Sequence, residues 1–118
     1  VVDDSRSFRM IMEKWLTSIG LECAVYATAP EALTALGSRG HFDVAIIDWN
    51  MPGMNGLGLI VQIRGNQVFD EMGLLMATTE TDQSQVTRAL DSGADEYLMK
   101  PFTEDILRKK LQLLEIID

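Results

Sequence analysis

The chain has 118 residues, 47% hydrophobic and 24% charged, the size and balance of one globular domain around a single core, which excludes a second folded domain. Eighteen Asp and Glu against ten Lys and Arg leave a formal charge of −8, which argues against general attraction to nucleic acid or an anionic membrane and for a cation or a basic partner. One cysteine, Cys23, and one histidine, His41, exclude an internal disulfide framework and a Cys-rich zinc site, leaving oxygen ligands as the open metal chemistry.

Apolar runs of strand length alternate with segments of helical period. Val1-Val2 is the first run; it begins only two residues before Asp3, so the first strand is expected to have lost its start, which leaves open that 1–118 was cut from a longer protein. Phe8, Ile11, Met12, Trp15, Leu16 and Ile19 follow the i, i+3, i+4 rule and predict the first helix, stopped by Gly20. Cys23 to Tyr26 is a second strand, with Cys23 as a small packing residue. Thr28-Ala29-Pro30-Glu31 reads as a capping box opening a helix with Ala32, Leu33 and Leu36 on its apolar face, closed by Gly37 to Gly40. His41 falls in the following turn and is read as a surface side chain. Val44 to Ile47 is a continuous apolar strand, buried on both faces.

A third helix follows with Leu57, Ile60, Val61 and Ile63, then a strand from Leu74 to Ala77. A fourth helix carries Val86, Ala89 and Leu90, and a fifth strand runs from Tyr97 to Met99. The last helix opens at Thr103-Glu104-Asp105 and presents Leu107, Leu111 and Leu114. Most methionines, including Met10, Met12, Met76 and Met99, fall at periodic core positions or in strands. Strands joined through helices must run parallel with right-handed crossovers. The expected fold is α/β, a doubly wound five-stranded parallel sheet with five helices. No run approaches the about 18 apolar residues of a membrane span, and the first residues have nothing of a signal peptide, so a cytoplasmic setting is expected.

In open α/β sheets, ligands bind beyond the carboxyl ends of the strands. The residues directly after the apolar runs are Asp3-Asp4, Asp48, Thr78-Thr79 and Lys100-Pro101. Taken singly, each has an ordinary explanation: a helix cap for the acidic pair, a loop for Asp48, a turn hydroxyl for Thr78, a solvated lysine for Lys100. Taken together, if the sheet is ordered 2-1-3-4-5, they put three carboxylates, a hydroxyl and an ammonium at one switch point. Such like charges repel at short range, and a hard divalent cation with oxygen ligands, Mg²⁺, is the simplest compensation, with Lys100 offsetting part of the rest.

These residues, with Met51-Pro52-Gly53-Met54-Asn55-Gly56 after Asp48 and Phe102 after Lys100-Pro101, resemble the receiver domains of two-component response regulators, particularly the single-domain chemotaxis type, over the whole chain. The resemblance implies the strand order 2-1-3-4-5. It also implies that Asp48 accepts a phosphoryl group from a histidine kinase, and that Asp3, Asp48 and the backbone carbonyl of Asn50 bind Mg²⁺, with Asp4 ligating directly or through water. Thr78 then bonds the phosphoryl oxygens and moves inward, and Tyr97 is the switch aromatic that turns from exposed to buried. Glu80 and Asn50 are expected to tune phosphoryl lifetime, and Trp49 to report binding by fluorescence.

The implied partners are a sensor histidine kinase or phosphotransfer protein upstream and an effector protein or covalently linked output domain downstream. The effector is expected to read the surface of the fourth helix, fifth strand and fifth helix, with no membrane and no direct nucleic-acid contact from this domain. Such a domain is a phosphoacceptor, capable of self-catalysed transfer and autodephosphorylation, and not a turnover enzyme. A haloacid-dehalogenase-like phosphohydrolase would carry a second Asp two residues after its nucleophile, where this chain has Asn50. A degenerate receiver serving only as an interaction module would have lost one of the acids, the hydroxyl or the lysine. Neither G-x-x-x-x-G-K-[ST] nor G-x-G-x-x-G occurs, which disfavours nucleotide binding.

Overall fold

The computed structural model describes residues 1–39, 41–79 and 83–118. Its elements follow in the order α1 (Arg6–Ile19), α2 (Ala29–Arg39), β1 (Val44–Asp48), α3 (Gly56–Arg64), β2 (Gly73–Thr78), α4 (Gln83–Asp91), β3 (Glu96–Met99) and α5 (Glu104–Leu113). Gly40 and Glu80, both assigned roles from sequence, lie outside the described residues.

Local signals account for several helix ends. The Ser5 hydroxyl accepts from the Phe8 N–H at the start of α1, and Gly20, with φ of 102°, takes the left-handed turn that stops it. The capping box of α2 forms with one shift: the Thr28 hydroxyl accepts from the Glu31 N–H, while the Glu31 carboxylate reaches the N–H of Ala27. Thr103 caps α5 by accepting from the Ile106 N–H. On the helix faces, Met12 and Leu16 are buried as expected, but Ile11 is 46% exposed and Met10 62% exposed. Met10 sits two residues, about 200°, from both Phe8 and Met12, which puts it on the solvent side of α1. In α3 the buried face is Leu59, Ile60 and Ile63, and Val61 faces outward.

The sheet holds β1, β2 and β3 in parallel, with Asp48 opposite Ala77 and Thr78 opposite Met99. Three regular strands stand where five were expected among the described residues. The other two runs are each reduced to one bridged residue, Val2 pairing in parallel with Tyr26 on one side and with Ile47 on the other. Val2 N–H donates to Ile46 O and Asp48 N–H to Val2 O, while Asp3 N–H donates to Tyr26 O and Tyr26 N–H to Val1 O. The spatial order is therefore Tyr26 segment, Val2, β1, β2, β3, which is 2-1-3-4-5. Beside this bridge the Val1 nitrogen donates to Ala24 O at 2.9 Å.

Side chains alternate across this sheet. Ile47, Leu74 and Met76 pack with α2, α3 and α4 residues on one face. Ile46, Leu75, Ala77 and Leu98 pack against Met12 and Leu16 of α1 and Leu107 and Leu111 of α5 on the other. Among the described residues no helix is long and apolar enough to cross a membrane.

Candidate functional site

The parallel register brings the strand-end residues to one edge. Continuing the alternation of Ile46 and Leu98, Asp48 and Lys100 turn to the α1 side of the sheet, and the Val2 bridge sets Asp3 next to β1. The Lys100 ammonium donates to Asp3 Oδ2 at 2.7 Å and to Asp48 Oδ1 at 3.4 Å. Asp3 is 1% exposed and Asp48 7%, so both carboxylates are removed from bulk water and the lysine is their nearest compensating charge. Asp3 is also fixed by the Ser5 N–H on Oδ1 at 2.8 Å and by Arg9, which donates to the Asp3 carbonyl at 2.7 Å. Because Ser5 caps α1, neither acid is consumed as its cap.

Asp4 is exposed at the rim, and Asp3, Asp4 and Asp48 each offer an oxygen within 4.8 Å of the others. Burial raises the Asp48 carboxyl above its ordinary value and the neighbouring Asp3 charge pushes the same way; Lys100 and the Asn50 backbone N–H offset only part of this. The loop after Asp48 is held close by Gly56, whose N–H donates to Trp49 O at 2.9 Å and where any Cβ would overlap the Asp48 carbonyl. Trp49 itself is buried in the core under α2 and α3.

Thr78 is the last residue of β2 and is 2% exposed. Its carbonyl accepts from the Lys100 N–H at 2.8 Å, so the β2–β3 ladder sets Lys100 and Thr78 side by side. Tyr97 lies farther along β3, half-buried against the core under α4, and stands apart from the carboxylate group. Lys110 of α5 lies 4.7 Å above its ring and pairs with Glu96 at 2.8 Å. His41 is exposed beside Asp43, and Cys23 is half-buried against the α1 and α5 core.

Sequence reasoning missed four residues around the site: Ser5, Phe8 as a neighbour of Lys100, Arg9, and Asn55, whose side chain caps α3 by accepting from the Gly58 N–H. The caps had a signal, since Ser5 and Asn55 are good capping residues just before helical segments. Arg9 and Phe8 had none, because their partners depend on how α1 lies across the sheet.

Comparison with known proteins agrees with this geometry. The model of the response regulator receiver domain family matches residues 1–112. The chain is 39% identical over 115 residues to the chemotaxis protein CheY1 of Helicobacter pylori, covering 97% of this chain and 93% of that one. It is 39% identical over 113 residues to the chemotaxis protein CheY homolog of Campylobacter jejuni, covering 95% and 87%. Among solved structures, chemotaxis protein CheY4 of Vibrio cholerae superposes with a TM-score of 0.90 at 35% identity, over 96% of this chain and 93% of that one. The receiver domain of the Francisella response regulator 1452 gives 0.86 at 26% identity, over 96% and 91%.

Proposed function

The chain belongs to the response regulator receiver family, and from that premise we propose that residues 1–118 form one receiver domain that is switched by phosphorylation of Asp48. The observation that carries this is the Lys100 ammonium lying between the buried carboxylates of Asp3 and Asp48 at the carboxyl edge of a parallel sheet. A carboxylate attacks a phosphoryl donor poorly because both carry negative charge, and the remedy is fixed positive charge where charge gathers in the transition state. An Asp48 oxygen forms the new bond to phosphorus as the bond from phosphorus to a kinase histidine breaks.

Asp3, Asp4, Asp48 and the Asn50 backbone carbonyl would hold Mg²⁺. Three carboxylate oxygens within 4.8 Å of one another, one of them on a carboxyl already pushed up by burial and by its neighbour, form the all-oxygen, charge-crowded donor set that suits a hard cation. When bound, the ion supplies positive charge that offsets the phosphoryl oxygens. The Lys100 ammonium moves from Asp3 toward an oxygen of the phosphorylated Asp48 and hydrogen-bonds it. Thr78, beside it on β2, donates its hydroxyl to another phosphoryl oxygen and moves toward it. The space vacated lets the Tyr97 ring turn inward, and the surface of α4, β3 and α5 changes for an effector protein or a linked output domain.

The donor is a sensor histidine kinase or a phosphotransfer protein, and the likeness to chemotaxis proteins supports a signalling output read by binding. The domain promotes its own phosphorylation and the hydrolysis of the resulting aspartyl phosphate, which releases phosphate and restores the carboxylate, and it turns over no separate substrate. Incubation with acetyl phosphate and Mg²⁺, followed by intact mass measurement, is expected to add one phosphoryl group to the wild type and none to Asp48→Asn; equal labelling of that variant would overturn the assignment.

A further inference from the structure

The Lys100 ammonium has a neighbour besides the two carboxylates. Its Nζ lies 4.1 Å from the centroid of the Phe8 ring, well inside the about 6 Å over which a ring face attracts a cation. The ring is held in turn. Phe8 meets Phe102 edge to face, with centroids 5.9 Å apart and planes at 81°, and Phe102 meets Trp15 at 6.1 Å. Phe8 and Trp15 come from α1 and Phe102 from the segment after β3, so three rings from two parts of the chain form a fixed shelf beside a lysine only 17% exposed.

The contacts of the ammonium differ in kind. The bond to Asp3 at 2.7 Å is short and directional, whereas Asp48 at 3.4 Å is at the limit of one. If Lys100 engages a phosphoryl group growing on Asp48, its ammonium shifts from the first partner toward the second and passes through positions where neither hydrogen bond is well formed. Attraction to a ring face has no such directional demand and persists along that movement. We infer that Phe8 is a positioning residue for phosphoryl transfer, its ring face holding the Lys100 ammonium over the gap between Asp3 and Asp48. This rests on the role given to Lys100 above.

The test replaces Phe8 in the whole chain with 4-fluoro-, 3,5-difluoro- and pentafluorophenylalanine, which keep nearly the same shape while withdrawing negative charge from the ring face. Phosphorylation by acetyl phosphate at saturating Mg²⁺ is followed by intact mass. The rate is expected to fall step by step, about fivefold at the pentafluoro ring, with unchanged melting temperature; Phe8→Leu falls similarly and Phe8→Trp recovers. In a Lys100→Ala background the same fluorinated series is expected to be flat, since the cation it acts through is gone. A flat series in the wild-type background with a slow Lys100→Ala overturns the role of Phe8 alone. A Lys100→Ala that is phosphorylated at the wild-type rate overturns the role of Lys100 itself.

Discussion

Asp48 is where the needs of folding and of chemistry conflict. Its carboxyl is raised, first by burial and then by Asp3, so the folded protein binds that proton more tightly than the unfolded chain does. The stability this contributes is complete below the ordinary carboxylate value and is lost as pH rises through the raised one, leaving the ionised group as a net cost at neutral pH. Lys100 retains its 2.7 Å bond to Asp3 when Asp48 is neutralised, so no charge is left unpaired. Metal-free Asp48→Asn is therefore expected to melt above the wild type at pH 7, with the gap closing as pH falls toward the ordinary carboxylate range. Mg²⁺ at about 100 times its dissociation constant should add roughly 2.7 kcal/mol to the wild type and less to the variant, reversing the order. Calorimetric scans in EDTA and in Mg²⁺ check both; a variant that melts lower in EDTA contradicts the electrostatic account. Asp3, Asp48, Thr78 and Lys100 were legible in the sequence because each directly follows an apolar run. Arg9 and the Phe8 contact to Lys100 were not, because 91 residues lie between that ring and its cation and only the crossing of α1 over the sheet joins them.

At the scale of elements, glycines separate what is packed from what is merely flexible. A Cβ at Gly56 would overlap backbone atoms of Asp48 and Trp49, at Gly58 it would meet chiefly the flexible Met54 side chain, and at Gly37 it would meet nothing within 4 Å. Gly56→Ala must push α3 away from the end of β1, and is expected to cost about 2–3 kcal/mol and to weaken the Mg²⁺ response. Gly37→Ala, inside α2, is expected to stabilise by about 0.5–1 kcal/mol. Urea midpoints read by circular dichroism distinguish these signs; equal effects at the two positions would refute the close approach at Gly56. The helices were legible because caps such as Thr103 and stops such as Gly20 are local. The face of α3 was read less well, with Val61 taken where Leu59 is buried, because in a short helix that is apolar nearly all round periodicity does not choose a side. The first two runs, read as strands from their apolar character, meet the sheet through one bridged residue each, Val2 and Tyr26.

At the scale of the whole molecule, the proposed phosphorylation site and the proposed reading surface are joined through the β2–β3 register. Thr78 stands opposite Met99 and Met76 opposite Tyr97, so Thr78 and Tyr97 are diagonal neighbours on one face of the sheet. That adjacency is invisible in the sequence, where 18 residues and a helix intervene. Tyr97 is held on its outer side by Lys110, whose partner Glu96 feels burial most strongly but is pulled below its ordinary value by the Lys110 hydrogen bond, the Tyr97 N–H and the Lys110 charge. In the proposed switch a phosphoryl group biases the two arrangements only by the difference in its interactions between them, the bonds proposed for Thr78 and Lys100, a bias of about 1–3 kcal/mol. With beryllofluoride as the phosphoryl mimic, amide chemical shifts are expected to change around Asp48 and also along 83–100 and the first turn of α5. Thr78→Ala should keep the Mg²⁺-induced shifts near Asp3 while the remote changes diminish, since the hydroxyl that draws β2 inward is gone. Remote changes that are absent in the wild type, or that persist undiminished in Thr78→Ala, would exclude this route and place the coupling in the α1 side of the sheet, where Lys100 and Phe8 meet.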